Sequence, residues 1–323
     1  MLRTSRLVVL ALATTMALAA PGGGARAEEF PSQPLRLVIP YPPGGALSVH
    51  GAIISTSAEP HFQQPMISLI RAGGGGVVGA TFVAQGGTDG HTLLLGEPTI
   101  NSLRPQVENL PYKSDDFVPI ARLTASPIVF VAAANAPFND LRGMIEYAKA
   151  NPGRLVYSSD NANGWTYTAF EMLKRETGTQ MRGIEFGGGG PALTNVLGGN
   201  TMAYAGDPSV VGDHVRQGRL KALCVASDAR LRALDTIPTC KEAGADIAWG
   251  LWLGIFVKQG TPQVRIDRLR TGFAALVRDE GFLTLMGRIN STLAYLDGPQ
   301  FAEVLRAEQA SLQQLYQSQR SRN

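Results

Sequence analysis

Short apolar runs alternate with longer amphipathic stretches from Leu35 to the C-terminus. The runs at residues 35–39, 66–70, 92–95, 128–132, 155–158, 220–225 and 254–257 are short and rich in Val, Ile and Leu, so they read as buried strands. Helices are predicted between them at roughly residues 48–59, 77–85, 141–150, 166–176, 191–197 and 210–217. Asn139 or Asp140 caps the helix that starts near Leu141, and Asn151-Pro152-Gly153 ends it. Residues 264–277 and 299–319 form two further helices near the C-terminus. Strands alternating with helices predict an α/β protein with parallel pairing.

The loop Pro40-Tyr41-Pro42-Pro43-Gly44-Gly45-Ala46 follows the first of these strands. Its prolines stop the strand and fix φ, and its glycines let the backbone turn tightly against a ligand. Open α/β sheets bind ligands at this end of their strands. Two extended stretches, 123–128 and 247–255, read as crossings between lobes. The expected organisation is residues 28–126 with 250–323 as a discontinuous first lobe and 127–249 as the second. Two crossings make a hinge, and hinges close around ligands.

The chain has 323 residues and a formal charge of +3. Residues 1–27 read as a secretory signal. Arg3 and Arg6 are followed by an apolar stretch and by a small-residue cleavage site, Ala25-Arg26-Ala27. The stretch is shorter than the roughly 20 residues of a spanning helix. Cleavage near Ala27 leaves an exported, nearly neutral protein, large enough for two lobes. No basic patch carries interleaved aromatics, which argues against nucleic acid as a partner. An oxidising compartment permits a disulfide between Cys224 and Cys240; two small buried hydrophobes is the alternative.

Gly74-Gly75-Gly76-Val77-Val78-Gly79 fits a dinucleotide-binding pattern, with Glu97 placed where a ribose-binding acid would sit. It belongs to the second strand unit, and a run of glycines matches easily. A turn that lets a helix pack closely explains it better. His50, His61, His91 and His214 are scattered without metal spacing, and His50 alone is placed to face a cleft. No G-x-S-x-G elbow is present. The expectation is a binding protein with no catalysis, no cofactor and no metal. Three strand-to-helix loops look built to expose backbone N–H groups: 41–47, 158–166 and 186–192. Helix N-termini bind anions without lysine or arginine, so the three together suit a small carboxylate. Tyr41, Pro43, Gly44, Gly45, Ala46, Gly164, Trp165, Thr166, Gly187 and Gly188 are the candidate ligand-binding residues on them.

The chain resembles the Bug/TctC family, extracytoplasmic solute receptors of tripartite tricarboxylate transporters. The resemblance is carried by Pro31-Ser32-Gln33-Pro34-Leu35 through Pro42-Pro43-Gly44-Gly45 and by Asp89-Gly90-His91-Thr92-Leu93-Leu94-Leu95-Gly96. It continues in Gly188-Gly189-Gly190-Pro191-Ala192-Leu193-Thr194, Gly218-Arg219-Leu220-Lys221-Ala222-Leu223, and Ile237-Pro238-Thr239 with Glu242-Ala243-Gly244. It implies a type II, two-lobed periplasmic binding fold in which the proline-glycine loop grips a carboxylate. It also implies membrane permease subunits as partners. The protein is expected in the periplasm as a monomer. Asp207 falls near a position that lines the family's pocket, and Thr99 joins it in the candidate set. This chain departs from the family pattern in the cleft. Leu47-Ser48 stands where the family has Thr-Asp, Ala52 replaces an arginine, Gly187 replaces a lysine, and Gly164-Trp165-Thr166-Tyr167 replaces small residues and a histidine. The expected solute is therefore a carboxylate with an apolar or aromatic body stacked on Trp165. An exported α/β enzyme acting on a small acid, or an orphan or sensory receptor, is the alternative.

Overall fold

The computed structural model describes residues 29–231 and 234–320, with side chains described as far as residue 310. The predicted signal, residues 1–27, lies outside the described residues. No helix among the described residues is long and apolar enough to cross a membrane.

The chain forms two lobes. The first is built on β1 (Leu35–Ile39), β2 (Met66–Ile70), β3 (Thr92–Gly96), β4 (Phe117–Pro127), β10 (Gly250–Lys258) and β11 (Leu293–Asp297), in the sheet order β11-β4-β10-β3-β1-β2. The second is built on β5 (Val129–Ala133), β6 (Leu155–Ser159), β7 (Met181–Glu185), β8 (Ala203–Gly206) and β9 (Leu220–Val225), in the order β7-β6-β8-β5-β9. Leu35, Leu37, Val38 and Ile39 on β1 are almost fully buried between helices. Each such side chain contributes about 1.5–3 kcal/mol on burial.

Pairing is mixed, which corrects the expectation of parallel sheets. β1, β2 and β3 pair in parallel, as do β6, β7 and β8. β10 runs against both β3 and β4, and β5 runs against both β8 and β9. These are the two strands by which the chain arrives from the other lobe. The parallel strands end at the cleft, so an arriving strand starts there and runs the opposite way. The crossings also pair with each other, with Gly250 opposite Pro127 and Trp252 opposite Ala125. Ile128 N donates to Trp249 O at 3.0 Å, which extends the two-stranded ribbon through the crossing.

Helix α1 (Ala46–Ser57) starts where the prolines release the chain, with Gly44 at φ +88°. It lies close on the sheet at Gly51, where a Cβ would come 2.6 Å from Ile39 Cδ1. Helix α3 (Val77–Ala84) packs close at Gly79, where a Cβ would lie 2.8 Å from Pro40 Cα. The glycine run ahead of α3 is tied down by Arg104, whose Nη1 donates to the Gly74 and Gly75 carbonyls at 2.6 and 2.9 Å. Asp140 caps α5 (Leu141–Ala150), accepting from Gly143 N at 2.7 Å. Cys224 and Cys240 form a disulfide, with Cα atoms 4.8 Å apart. The remaining helices of lobe one are α2 (Glu59–Phe62), α4 (Arg104–Val107), α9 (Gln263–Leu276) and α10 (Glu280–Arg288), and the final helix, α11 (Gly298–Arg320), packs back on the same lobe, where Trp252 Nε1 donates to Glu308 Oε2 at 2.8 Å.

Candidate functional site

Loops at the cleft ends of both sheets enclose about 460 Å³ of empty space, part of it open to solvent. Lobe one contributes Tyr41, Gly45, Ala46 and Leu47 from the β1–α1 loop and Glu97 from the end of β3. Lobe two contributes Asp160, Trp165 and Thr166 between β6 and α6 (Trp165–Thr177), together with Gly189 at the start of α7 (Gly189–Leu197). Tyr204, Asp207 and Val210 come from the junction of β8 and α8 (Pro208–Arg216), and Leu251 from the crossing strand β10. Among the described residues, no lysine, arginine or histidine lines the space.

Two helix N-termini meet across the cleft. Gly45 caps α1 and Gly188 caps α7, neither with a side-chain hydrogen bond, and neither first turn holds an acid. A Cβ on Gly45 would lie 3.3 Å from Gly190 N and 3.7 Å from Gly189 Cα. A Cβ on Gly190 would strike the Pro43 carbonyl. The glycines therefore allow the lobes to close backbone on backbone. The first amides of both helices lack intrahelical partners and carry partial positive charge.

Helices α6 and α8 begin differently, because their N-termini are filled by acids of the chain itself. Asp160 accepts Trp165 N at 3.0 Å through Oδ2, and Asn161 N at 2.9 Å and Tyr167 N at 3.4 Å through Oδ1. Asp207 is the N-cap of α8 and accepts Ser209 N at 2.8 Å through Oδ1. Glu97 behaves in the same way at the turn that follows β3, accepting Thr99 N at 2.7 Å and Ile100 N at 3.0 Å. Tyr41 Oη lies 2.9 Å from Glu97 Oε1 and 3.2 Å from the Gly75 carbonyl. Burial pushes the Glu97 carboxyl up to about 7 against the pull of the Thr99 amide. Asp160 is also raised by burial, against its amide donors. The Tyr41 hydroxyl is held well above its ordinary value by burial and then by the neighbouring Glu97 charge.

Of the residues singled out in the sequence, the structure brings Tyr41, Gly45, Ala46, Trp165, Thr166 and Asp207 to the cavity wall. Pro43 and Gly44 are exposed at its rim, against Gly190. Thr99 is buried behind Glu97 and supplies it an amide. Gly164 lies beneath the Asp160 carboxylate, which a Cβ would overlap. Gly187 is exposed with open space at its Cα, and Gly188 packs on the Pro42 ring. The expectation that the amides at the start of α6 await a solute is corrected: Asp160 uses them. His50 does not line the cleft. It is 1% exposed, with Nδ1 2.8 Å from Ala46 O and Nε2 2.9 Å from Ser291 Oγ.

Trp165 forms a wall of the cavity and is 6% exposed. Its carbonyl accepts Trp249 Nε1–H at 3.1 Å, while its own buried Nε1–H has no partner among the described residues. Asp160 is a wall residue that the sequence does not mark, and Glu97 stands out there only as a ribose ligand. Gly189, Tyr204, Val210 and Leu251 also line the space unmarked, as does Leu47, which stands out only as a departure from the family. A signal was present for the acids. Glu97, Asp160 and Asp207 each stand one residue past the last residue of β3, β6 and β8. Those are the strand ends where α/β proteins bind ligands.

The family model for the tripartite tricarboxylate transporter family receptor, TctC, matches residues 53–318. Protein BugT of Bordetella pertussis (strain Tohama I) is 30% identical over 254 residues, covering 76% of each chain. Among solved structures, R. palustris Rpa4515 with adipate superposes with a TM-score of 0.85 at 22% identity, covering 89% of this chain and 97% of that one. MatC from Rhodopseudomonas palustris with bound malate superposes with a TM-score of 0.82 at 24% identity, covering 88% and 99%. The shared architecture is the two-lobed, type II periplasmic binding fold. On the extent of the family match and on the identity to BugT, this chain belongs to the TctC family of tripartite tricarboxylate transporter receptors.

Proposed function

We propose that this protein is a periplasmic solute receptor. It captures a small carboxylate between residues 28–126 with 250–323 on one side and residues 127–249 on the other. The closed form, a monomer, then docks on the membrane subunits of a tripartite transporter. The observation that carries the reading is the meeting of two uncapped helix N-termini, at Gly45 and at Gly188–Gly190. They present free amides to one space from both lobes, so a carboxylate between them favours closure. The solved relatives with adipate and with malate support the same class of solute.

The solute is held by Tyr41, Gly45, Ala46, Trp165, Thr166 and Asp207, with Leu47, Val210 and Leu251 against its apolar part. The indole of Trp165 stacks on that part. Binding without catalysis fits the family, and the solute leaves unchanged. Native mass spectrometry of protein purified from its own periplasm tests this. One equivalent of a small acid, released at the mass at which it entered, is the expected result. Conversion of the bound acid during incubation would replace the receptor with an enzyme.

A further inference from the structure

We propose that the solute is a small zwitterion, a monocarboxylate bearing an ammonium group that pairs with Asp207. This inference rests on the receptor reading above and narrows its solute. It starts from two polar atoms at the cavity wall that have no protein partner. The Trp165 Nε1–H is a buried donor without an acceptor among the described residues. Asp207 is 2% exposed and accepts Ser209 N through Oδ1, which leaves Oδ2 free of protein donors among the described residues. A buried donor left unsatisfied is costly unless a ligand completes it, and the second oxygen of Asp207, not sealed from solvent, is open to a donor from the cleft. The donor, with the free amides of α1 and α7, calls for an anionic acceptor on the solute. The acceptor calls for a donor on the same solute.

Charge decides which donor. Among the described residues three carboxyl side chains line the space, Glu97, Asp160 and Asp207, and no basic side chain does. The oxygens of Glu97 and Asp160 are already engaged by backbone amides. They are therefore not ligands; Glu97, raised by burial to about 7, carries only part of its charge near neutral pH, and the negative field on the solute comes chiefly from Asp160 and Asp207. A dicarboxylate would bring its second charge into that field with no counter-ion, which like charges in a closed space oppose. An ammonium group is attracted by the same field and supplies the proton donor that Asp207 Oδ2 lacks. A metal ion is a poor substitute. Among the described residues, no group of three or more His, Cys, Asp or Glu side chains is placed to hold one. The apolar faces of Leu47, Val210 and Leu251 then take the carbon chain between the two charged ends.

The test is calorimetric titration of the mature protein, freed of endogenous solute, with three kinds of probe. 4-Aminobutyrate and 4-(aminomethyl)benzoate carry both groups. Butyrate and 4-methylbenzoate lack the amine. Malate and adipate replace the amine by a second carboxylate. At least one aminocarboxylate is expected to bind about tenfold or more tightly than its amine-free partner, and the dicarboxylates more weakly than either. Asp207→Asn keeps a good helix cap and is expected to erase the preference for the amine. Trp165→Phe keeps the ring but loses the N–H, and is expected to weaken acids with and without the amine by a similar factor. Tighter binding of malate or adipate than of any aminocarboxylate would overturn this inference and leave the receptor reading standing. So would an amine preference that survives in the folded Asp207→Asn protein. Failure of every carboxylate to bind would remove both.

Discussion

Asp160 Oδ2 accepts the backbone N–H of Trp165 at 3.0 Å, so helix α6 begins on a carboxylate that the chain itself provides. An anion site of the kind helix N-termini offer is thereby closed to solute on that helix. In lobe two, α7 starts without such an acid and without a side-chain cap. The same contact places Trp165 at the cavity wall, since the residue that donates the amide also carries the indole.

Replacing Asp160 by alanine removes the cap of α6 and is expected to lower stability by about 1–2 kcal/mol. It also returns the Trp165 and Tyr167 amides to the cavity. Urea unfolding measures the loss. Thermal stabilisation by acetate should then be larger in the variant than in the parent protein. An unchanged response to acetate would mean the freed amides are not accessible from the cleft.

Gly190→Ala introduces a methyl group against the Pro43 carbonyl of the opposite lobe. Each lobe keeps its own packing, so the melting temperature without solute should change little. Closure should fail, with an expected loss of about tenfold or more in solute affinity. Small-angle scattering of the variant at saturating solute should retain the larger, open radius. Scattering that contracts as in the parent protein would show that the loops slip past each other.

Glu97 has a pH signature. Its folded value of about 7 lies above the unconstrained 4.5, so the folded state holds this proton more tightly than the unfolded one. Its contribution to stability is complete below pH 4.5 and is lost as the pH rises through 7, a fall of about 3 kcal/mol. Asp160, also raised, adds a slope of the same sign. Denaturant unfolding between pH 4.5 and 8 should show stability declining, and Glu97→Gln should flatten most of the decline. Equal slopes in the two proteins would place the proton elsewhere.

The Cys224–Cys240 bond closes a loop of 16 residues in the second lobe. Constraint of the unfolded chain by a loop of that length contributes about 3 kcal/mol. The double variant Cys224→Ala with Cys240→Ala should therefore unfold at lower denaturant concentration, by roughly that free energy. Solute affinity should be nearly intact, because neither cysteine lines the cleft. A large loss of affinity with the fold intact would show that the bond positions the cleft.

Several elements were legible because their cause is local. The runs that became β1, β2, β6 and β9 are short and mostly apolar. Pro40, Pro42 and Pro43 end β1 wherever it packs. Other elements were silent for equally plain reasons. Four of the five residues of β7 are exposed, so it shows no buried face. β8 is short and made of small residues. β4 carries Pro119, Arg122 and Pro127 and becomes a long strand by pairing with β10 and β11 on either side.

The sequence by itself determined the α/β alternation, the proline-glycine entry to α1, two crossings between lobes and membership of a receptor family. The first three follow from short-range pattern and backbone chemistry, and the last from the resemblance of its motifs. Only the tertiary structure decided which helix ends remain open. Asp160 reaches the start of α6 through a loop whose path no spacing rule specifies. It also decided that Glu97, Asp160 and Asp207, each one residue past a different strand, face a single cavity. That convergence depends on how two sheets are set against each other. The physical reason is range: a strand's burial is written in five neighbouring residues, whereas the charge of a cleft is the sum over loops separated by tens of residues and joined only by folding.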